Sequence, residues 1–242
     1  MRLTFIIVLS SLLLTANPAQ AQKIIERNAP LKSGERVTLR LDHANHIRLR
    51  AGSGNQLTLK ATVSINQNKL NDALQLDVSP NLAGGLTVTS TLNKQLLEKS
   101  PASSCDCPNG HFWGNTTIGK DGRSDCQGVC LAIEIDITLP ANTTIDVSTI
   151  SGDIEISGLT GPLKAKSISG YVEARWPAKT AAELTLASVT GEVYTDPDVM
   201  LRDVKRPEVN VGYPVHGRLG DAGGAAVHLE SVSGDVFFKR EK

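Results

Sequence analysis

Val147-Ser148-Thr149-Ile150-Ser151-Gly152-Asp153-Ile154 is the stretch on which the fold turns, because the chain repeats it. It returns as Ala165-Lys166-Ser167-Ile168-Ser169-Gly170-Tyr171-Val172 and as Leu186-Ala187-Ser188-Val189-Thr190-Gly191-Glu192-Val193. A fourth copy is Leu229-Glu230-Ser231-Val232-Ser233-Gly234-Asp235-Val236. The shared frame is Ser or Thr, an aliphatic residue, Ser or Thr, Gly, a mostly acidic residue, then Val or Ile. The glycines Gly152, Gly170, Gly191 and Gly234 are 18, 21 and 43 residues apart, and the last gap has room for a degenerate copy near Val209-Asn210-Val211-Gly212. A period of about 20 residues is the signature of a solenoid, in which rungs that cannot bury an apolar side alone stack into one core. The four glycines are expected at corners where φ is positive, with Ser and Thr satisfying corner backbone groups. The aliphatics before and after are expected to point inward. The C-terminal half, residues 131–242, is therefore predicted to be a single-stranded β-solenoid, a β-helix-like stack.

Toward the N-terminus the period shortens to two. Val37, Leu39 and Leu41 alternate with polar residues, as do Ile47 and Leu49, then Leu57 to Ile65, then Leu74 to Val78 and Leu86 to Val88. Such alternation marks strands with one buried and one wet face. Residues 22–99 read as an N-terminal strand region, and 22–242 as one continuous all-β domain. Arg36, Arg40, Arg48, Arg50 and Lys60 fall on the wet positions. They read first as a solvated face, with an acidic-glycan surface as the other reading.

The first residues differ. Arg2 precedes an apolar run from Phe5 to Leu14, and Ala19-Gln20-Ala21 closes it. A positive residue, a short apolar core and Ala-x-Ala make residues 1–21 a secretory signal peptide. The run is shorter than the roughly 20 apolar residues a membrane span needs, so the mature chain is expected in the periplasm, at the surface or secreted, with no transmembrane segment. Residues 1–21 carry one base and no acid, so the mature chain holds one more acidic than basic residue. That balance speaks against nucleic acid as a partner.

Residues 100–130 interrupt the alternation. This insertion is rich in Ser, Pro, Asn, Gly and Asp and holds all four cysteines, Cys105, Cys107, Cys126 and Cys130. A long loop in a compact domain commonly has a job. In an exported chain an even cysteine count reads as disulfides, and four cysteines allow three connectivities. Pairing Cys105 or Cys107 with Cys126 or Cys130 would close the loop at its base. A thiolate metal site with His111 is the rival reading, but the spacing is not that of a zinc ribbon. His111-Phe112-Trp113 sits mid-loop, either as an exposed recognition tip or tucked back onto the sheet. Sequons stand at Asn115 and Asn142.

No catalytic, cofactor or metal set emerges. Asp153, Glu192 and Asp235 make an acidic row, but Tyr171 interrupts it, and a single Asp after Gly usually serves a turn. Tyr171, Trp176, Tyr194 and Tyr213 share no one position in the repeat. Val236-Phe237-Phe238 reads as the final strand, closed by the charged Lys239-Arg240-Glu241-Lys242, and Gly217 to Gly224 as a flexible loop.

The Ser-x-Ser-Gly-Asp-Val/Ile units, the strand ending Ile137-Thr138-Leu139-Pro140 and the closing Ser231 to Val236 resemble the bacterial "putative adhesin" family. The resemblance spans roughly Val37 to Lys239 and is most specific from Ile133 onward; the Cys-bearing insertion departs from it. It implies a β-solenoid and no family catalytic residues. The expected function is that of a non-enzymatic exported envelope protein, adhesin-like or a scaffold, with a protein or glycan partner. A periplasmic sensing or stress module is the alternative, and a carbohydrate-active enzyme on a β-helix ranks below it.

Overall fold

The computed structural model describes residues 21–81, 84–98, 105–108, 110–202, 212–221 and 223–241. Residues 1–20, within the stretch expected to be a signal peptide, lie outside them. The described strands, in chain order, are β1 (Lys23–Pro30), β2 (Arg36–Arg40), β3 (His46–Gly52), β4 (Gln56–Ile65), β5 (Leu74–Pro80) and β6 (Leu86–Leu92). A short helix α1 (Lys94–Glu98) follows, then β7 (His111–Ile118), β8 (Ser124–Pro140), β9 (Thr144–Thr149), β10 (Asp153–Ser157), β11 (Leu163–Ser167) and β12 (Val172–Pro177). The chain continues through β13 (Ala182–Ser188), β14 (Val193–Thr195), β15 (Met200–Arg202), β16 (Val215–Leu219), β17 (Ala225–Ser231) and β18 (Val236–Glu241).

These strands form two mixed sheets. One runs β1-β4-β8-β3-β10-β12-β18-β14, with β7 on β8; the other runs β15-β16-β13-β17-β11-β9-β2-β6-β5. The period of two decides the core. In β4, Leu57, Leu59, Ala61, Val63 and Ile65 are buried while Thr58, Lys60 and Thr62 are not. Across the first sheet Ile135, Ile47, Ile154, Val172 and Val236 lie in register and are all buried. Each such side chain is worth about 1.5–3 kcal/mol when withdrawn from water. One hydrophobic cluster takes residues from both sheets. First-half strands join the same sheets as second-half ones: β3 lies between β8 and β10, and β2 pairs with β9 on one side and β6 on the other.

The four repeats do not stack in chain order. Val172 pairs with Ile154 and with Val236, and Val236 pairs with Val193. The fourth copy therefore sits between the second and the third. After the third, the chain runs through β15 and β16, and β16 pairs antiparallel with the outer side of β13. It then returns as β17 into the space between β11 and β13. The spacing of 43 is this excursion: the third and fourth copies touch directly, with no rung between them. Val209, Asn210 and Val211 lie outside the described residues. Two further readings change. Gly217 lies within strand β16, not in a loop. β18 is interior to its sheet, and its charged residues are engaged: Lys239 pairs with Glu173 at 2.6 Å, and Arg240 pairs with Asp198.

The corners show what the repeat encodes. A methyl group at Gly152 would collide with the carbonyl oxygen of Ala44, at Gly170 with that of Gly152, at Gly234 with that of Gly170, and at Gly191 with that of Gly234. None of the four has a positive φ. The glycines are required by close approach between rungs, not by a left-handed corner. The first hydroxyl of each unit is buried and donates to the neighbouring rung: Thr149 to Leu41 O at 2.9 Å, and Ser167, Ser231 and Ser188 to Gly152 O, Gly170 O and Gly234 O at 2.7 Å. The acidic residues serve alternate rungs. Asp153 Oδ1 accepts the N–H of Tyr171 at 3.0 Å, and Asp235 Oδ1 that of Glu192 at 2.9 Å. The aliphatic between the hydroxyls does not point inward: Ile150, Ile168 and Val189 are exposed.

Candidate functional site

Among its described residues the Cys-bearing insertion is mostly strand. β7 and the first part of β8 form an antiparallel hairpin whose tip is Gly119 to Arg123. Cys105 is joined to Cys126 and Cys107 to Cys130, each pair with Cα atoms 5.5 Å apart. The four sulfurs are thus taken in pairs, which leaves no thiolates for the metal reading. Both links tie the segment before β7 to β8. Cross-strand pairing sorts the hairpin into two faces. Phe112, Gly114 and Thr116 oppose Cys130, Gly128 and Cys126 on one; His111, Trp113 and Asn115 oppose Leu131, Val129 and Gln127 on the other. Alternation failed to show here because Gly114 pairs directly with Gly128, and neither has a side chain to report a face. The glycines cannot be filled: a methyl at Gly128 would meet the carbonyl oxygen of Trp113 and the ring of Phe112.

His111-Phe112-Trp113 is not the tip. The three residues begin β7 at the root of the hairpin, and all are half-buried. His111 Nδ1 lies 2.9 Å from Asn45 Nδ2, and His111 Nε2 lies 3.2 Å from Ser151 Oγ. Nothing in the chain order links a histidine to a nucleophile, yet the fold brings Ser, His and Asn into hydrogen-bond reach. The tautomer decides what they can do. Asn45 Oδ1 accepts the backbone N–H of Ile133 at 2.8 Å, so the atom facing His111 is the amide NH2 donor. Nδ1 must accept, and the ring proton sits on Nε2, facing Ser151. A general base needs a free Nε2 to take the hydroxyl proton. This trio lacks one. It acts instead as a clasp between the hairpin, β3 and the first repeat. Burial, with His43 adding repulsion, lowers the pKa of His111 and keeps it neutral.

Beside the clasp lies a cleft of about 800 Å³. Among the described residues it is lined by Leu97 and Glu98 of α1 and by Phe112 to Asn115, Gln127 and Gly128 of the hairpin. Leu97 is buried; Glu98, Asn115 and Gln127 are exposed. Trp113 packs partly against the core.

The charged positions on the strands form no single basic face. Arg36 and Arg40 lie on β2 in one sheet; Arg48 and Arg50 on β3 and Lys60 on β4 lie in the other. Acids are interleaved: Arg40 pairs with Asp146 at 3.0 Å, and Arg48 with Glu134 and Asp136 at 2.6 and 3.1 Å. The Arg40 hydrogen bond holds the Asp146 carboxyl below its usual range.

The reordered repeats assemble aromatics that sequence spacing kept apart. Tyr171 meets Phe237 edge-on at 6.2 Å, and Phe237 stacks on Tyr194 at 4.9 Å. Tyr171 donates to Glu155 at 2.6 Å; burial and that carboxylate raise its pKa. Trp176 belongs elsewhere: it is buried, with Nε1 donating to Thr180 O at 3.1 Å. Tyr213 is exposed. Among the described residues no group of three or more His, Cys, Asp or Glu is placed to hold a metal ion, and no helix is long and apolar enough to cross a membrane.

No family model matches the chain, and no curated protein matches it in sequence. Solved structures that resemble it include one named as a "putative cell adhesion protein" from Clostridium sporogenes. That likeness has 12% identity and a TM-score of 0.49, and covers 90% of this chain and 100% of that one. Another is named as a "putative adhesin" from Bacteroides fragilis, with 12% identity, a TM-score of 0.33, and coverage of 92% and 99%. A third, named as a "putative lipid binding protein" from Parabacteroides distasonis, has 8% identity, a TM-score of 0.24, and coverage of 90% and 97%. Likenesses this distant identify neither a family nor a function.

Proposed function

We propose that this is a non-enzymatic exported envelope protein, adhesin-like, that binds a partner through the disulfide-braced hairpin. The repeat stack, a solenoid-type scaffold in one continuous domain with the first-half strands, holds the hairpin rigid. One observation carries the reading. At the hairpin root the clasp and two disulfides fix a cleft whose exposed Asn115, Gln127 and Glu98 make no side-chain hydrogen bond among the described residues. Exposed donors and acceptors that line one cleft are open to hydrogen bonds from a bound partner. The test is retention of the purified mature chain on isolated envelope fractions, with protease shaving of intact cells to separate surface from periplasm. Retention is expected, and the double substitution Trp113→Ala, Asn115→Ala is expected to abolish it. Equal retention of that variant, or none by the parent, refutes the proposal.

A further inference from the structure

The geometry points to a neutral glycan as the ligand of the hairpin cleft, an assignment that rests on the binding role proposed above. Three properties of the wall lead there. The first is the order of side chains along it. Trp113 pairs across the hairpin with Val129, and two residues further out Asn115 pairs with Gln127. All four share one face, so the indole is followed, roughly 7 Å along the strand by strand rise, by two primary amides set side by side on neighbouring strands. A pyranose ring has a flat C–H face and a rim of hydroxyls. The indole offers the apolar surface, and each amide offers both a donor and an acceptor for a pair of hydroxyls.

The second property is room. The cleft volume, about 800 Å³, falls among small-ligand sites of roughly 300–1,000 Å³. Gly114 and its partner Gly128 belong to the other face of the hairpin, so Trp113 and Asn115 are direct neighbours on this one. Leu97 closes the floor from α1.

The third is charge. Among the described residues lining the cleft, Glu98 is the single ionisable group. A carboxylate accepts hydrogen bonds from sugar hydroxyls, but it repels a uronate, sulfate or phosphate. Arg48 and Arg40, which would attract such groups, are on other faces and already paired. An acyl chain would strip water from Asn115, Gln127 and Glu98 and return no hydrogen bond.

The experiment follows tryptophan emission of the intact mature chain. Trp176 is buried and bonded to Thr180, so a ligand-dependent change reports Trp113. Maltotetraose, cellotetraose, tetra-N-acetylchitotetraose and the anionic tetragalacturonate are titrated in parallel. At least one neutral tetrasaccharide is expected to give a saturable shift, and tetragalacturonate none. Asn115→Ala, Gln127→Ala together keep Trp113 and both disulfides and are expected to weaken binding at least about tenfold. Tyr194→Ala, in the aromatic row of the other region, is expected to change nothing. No saturable shift with any neutral probe up to about 10 mM, or tighter binding of tetragalacturonate, overturns the assignment. If envelope retention through the hairpin persists in that case, and survives enzymatic removal of glycans from the fraction, the partner is a protein and only the glycan assignment falls. If retention fails as well, both fall.

Discussion

The repeat stack and the hairpin answer their sequences in opposite ways. In the stack, the recurring hydroxyls and glycines are consumed by the neighbouring rung: Ser167 reaches Gly152 O, and Gly170 leaves that same carbonyl its space. In the hairpin nothing recurs. Its two disulfides and the His111 clasp fix the root, and its polar residues face a cleft. Repetition within this chain marks architecture, while the unrepeated insertion carries exposed polar side chains that no neighbouring rung takes up.

The largest test of that contrast removes the hairpin's covalent links. Cys105→Ser with Cys107→Ser is expected to cost the hairpin about 2–4 kcal/mol per link. Hydrogen exchange should show β7 losing protection while β9 to β12 keep theirs. Equal loss in both regions would mean that the hairpin is part of the stack's cooperative unit. Next comes glycine. Gly170→Ala must push a methyl into the Gly152 carbonyl, and about 3 kcal/mol of global stability should go, read from urea unfolding. Gly122→Ala at the hairpin tip meets no atom within 4 Å, and its φ of 75° should cost only about 1 kcal/mol. If the two variants unfold alike, close approach is not what the repeat protects.

A finer cut lies within one repeat. Ser167→Ala leaves the buried Gly152 carbonyl short of a donor and is expected to cost about 1–2 kcal/mol. Ile168→Ser, one residue on and exposed, should stay within about 0.5 kcal/mol by the same assay. The smallest effect is at the clasp. His111 is held below its ordinary value of 6.5, so the unfolded chain takes up the proton first as pH falls. Its stability contribution is complete above pH 6.5 and is lost as pH drops through the lower folded value. Urea unfolding at pH 7.5 and at pH 5 should show the decline, and His111→Gln should flatten it. The part due to His43, whose pKa burial also lowers, would remain.

Most of the strands could be read from alternation alone, because one wet face and one dry face write a period of two into β2 to β6. The four repeats were equally legible as units. Their order was not, since a period says which segments are alike and nothing about which pair. The spacing of 43 looked like a missing rung, whereas it is the length of chain needed to run out along β15 and β16 and back. The hairpin was hidden for a different reason. Gly114 and Gly128 blank the alternation at its centre, and without it His111 to Trp113 looked like loop. The clasp could not be foreseen, because Asn45, His111 and Ser151 belong to three strand systems that only the fold joins. The cysteines showed that a brace existed; which sulfur met which depended on the hairpin register.

The place of the fourth repeat has a consequence for how the molecule comes into being. Chains emerge from synthesis or from an export channel in order, so β13 and β14 exist before the segment that separates them from β11 and β12. Until β17 and β18 arrive, the third repeat has no partner on its inner side, and the second presents an open edge. Closing the stack is an act of insertion, a wedge driven between two waiting surfaces, and not the laying of one more course on a wall. Such a chain has a built-in check on completeness: a copy cut short before Ala225 lacks the middle of its own ladder and keeps two bare edges exposed to proteases and chaperones.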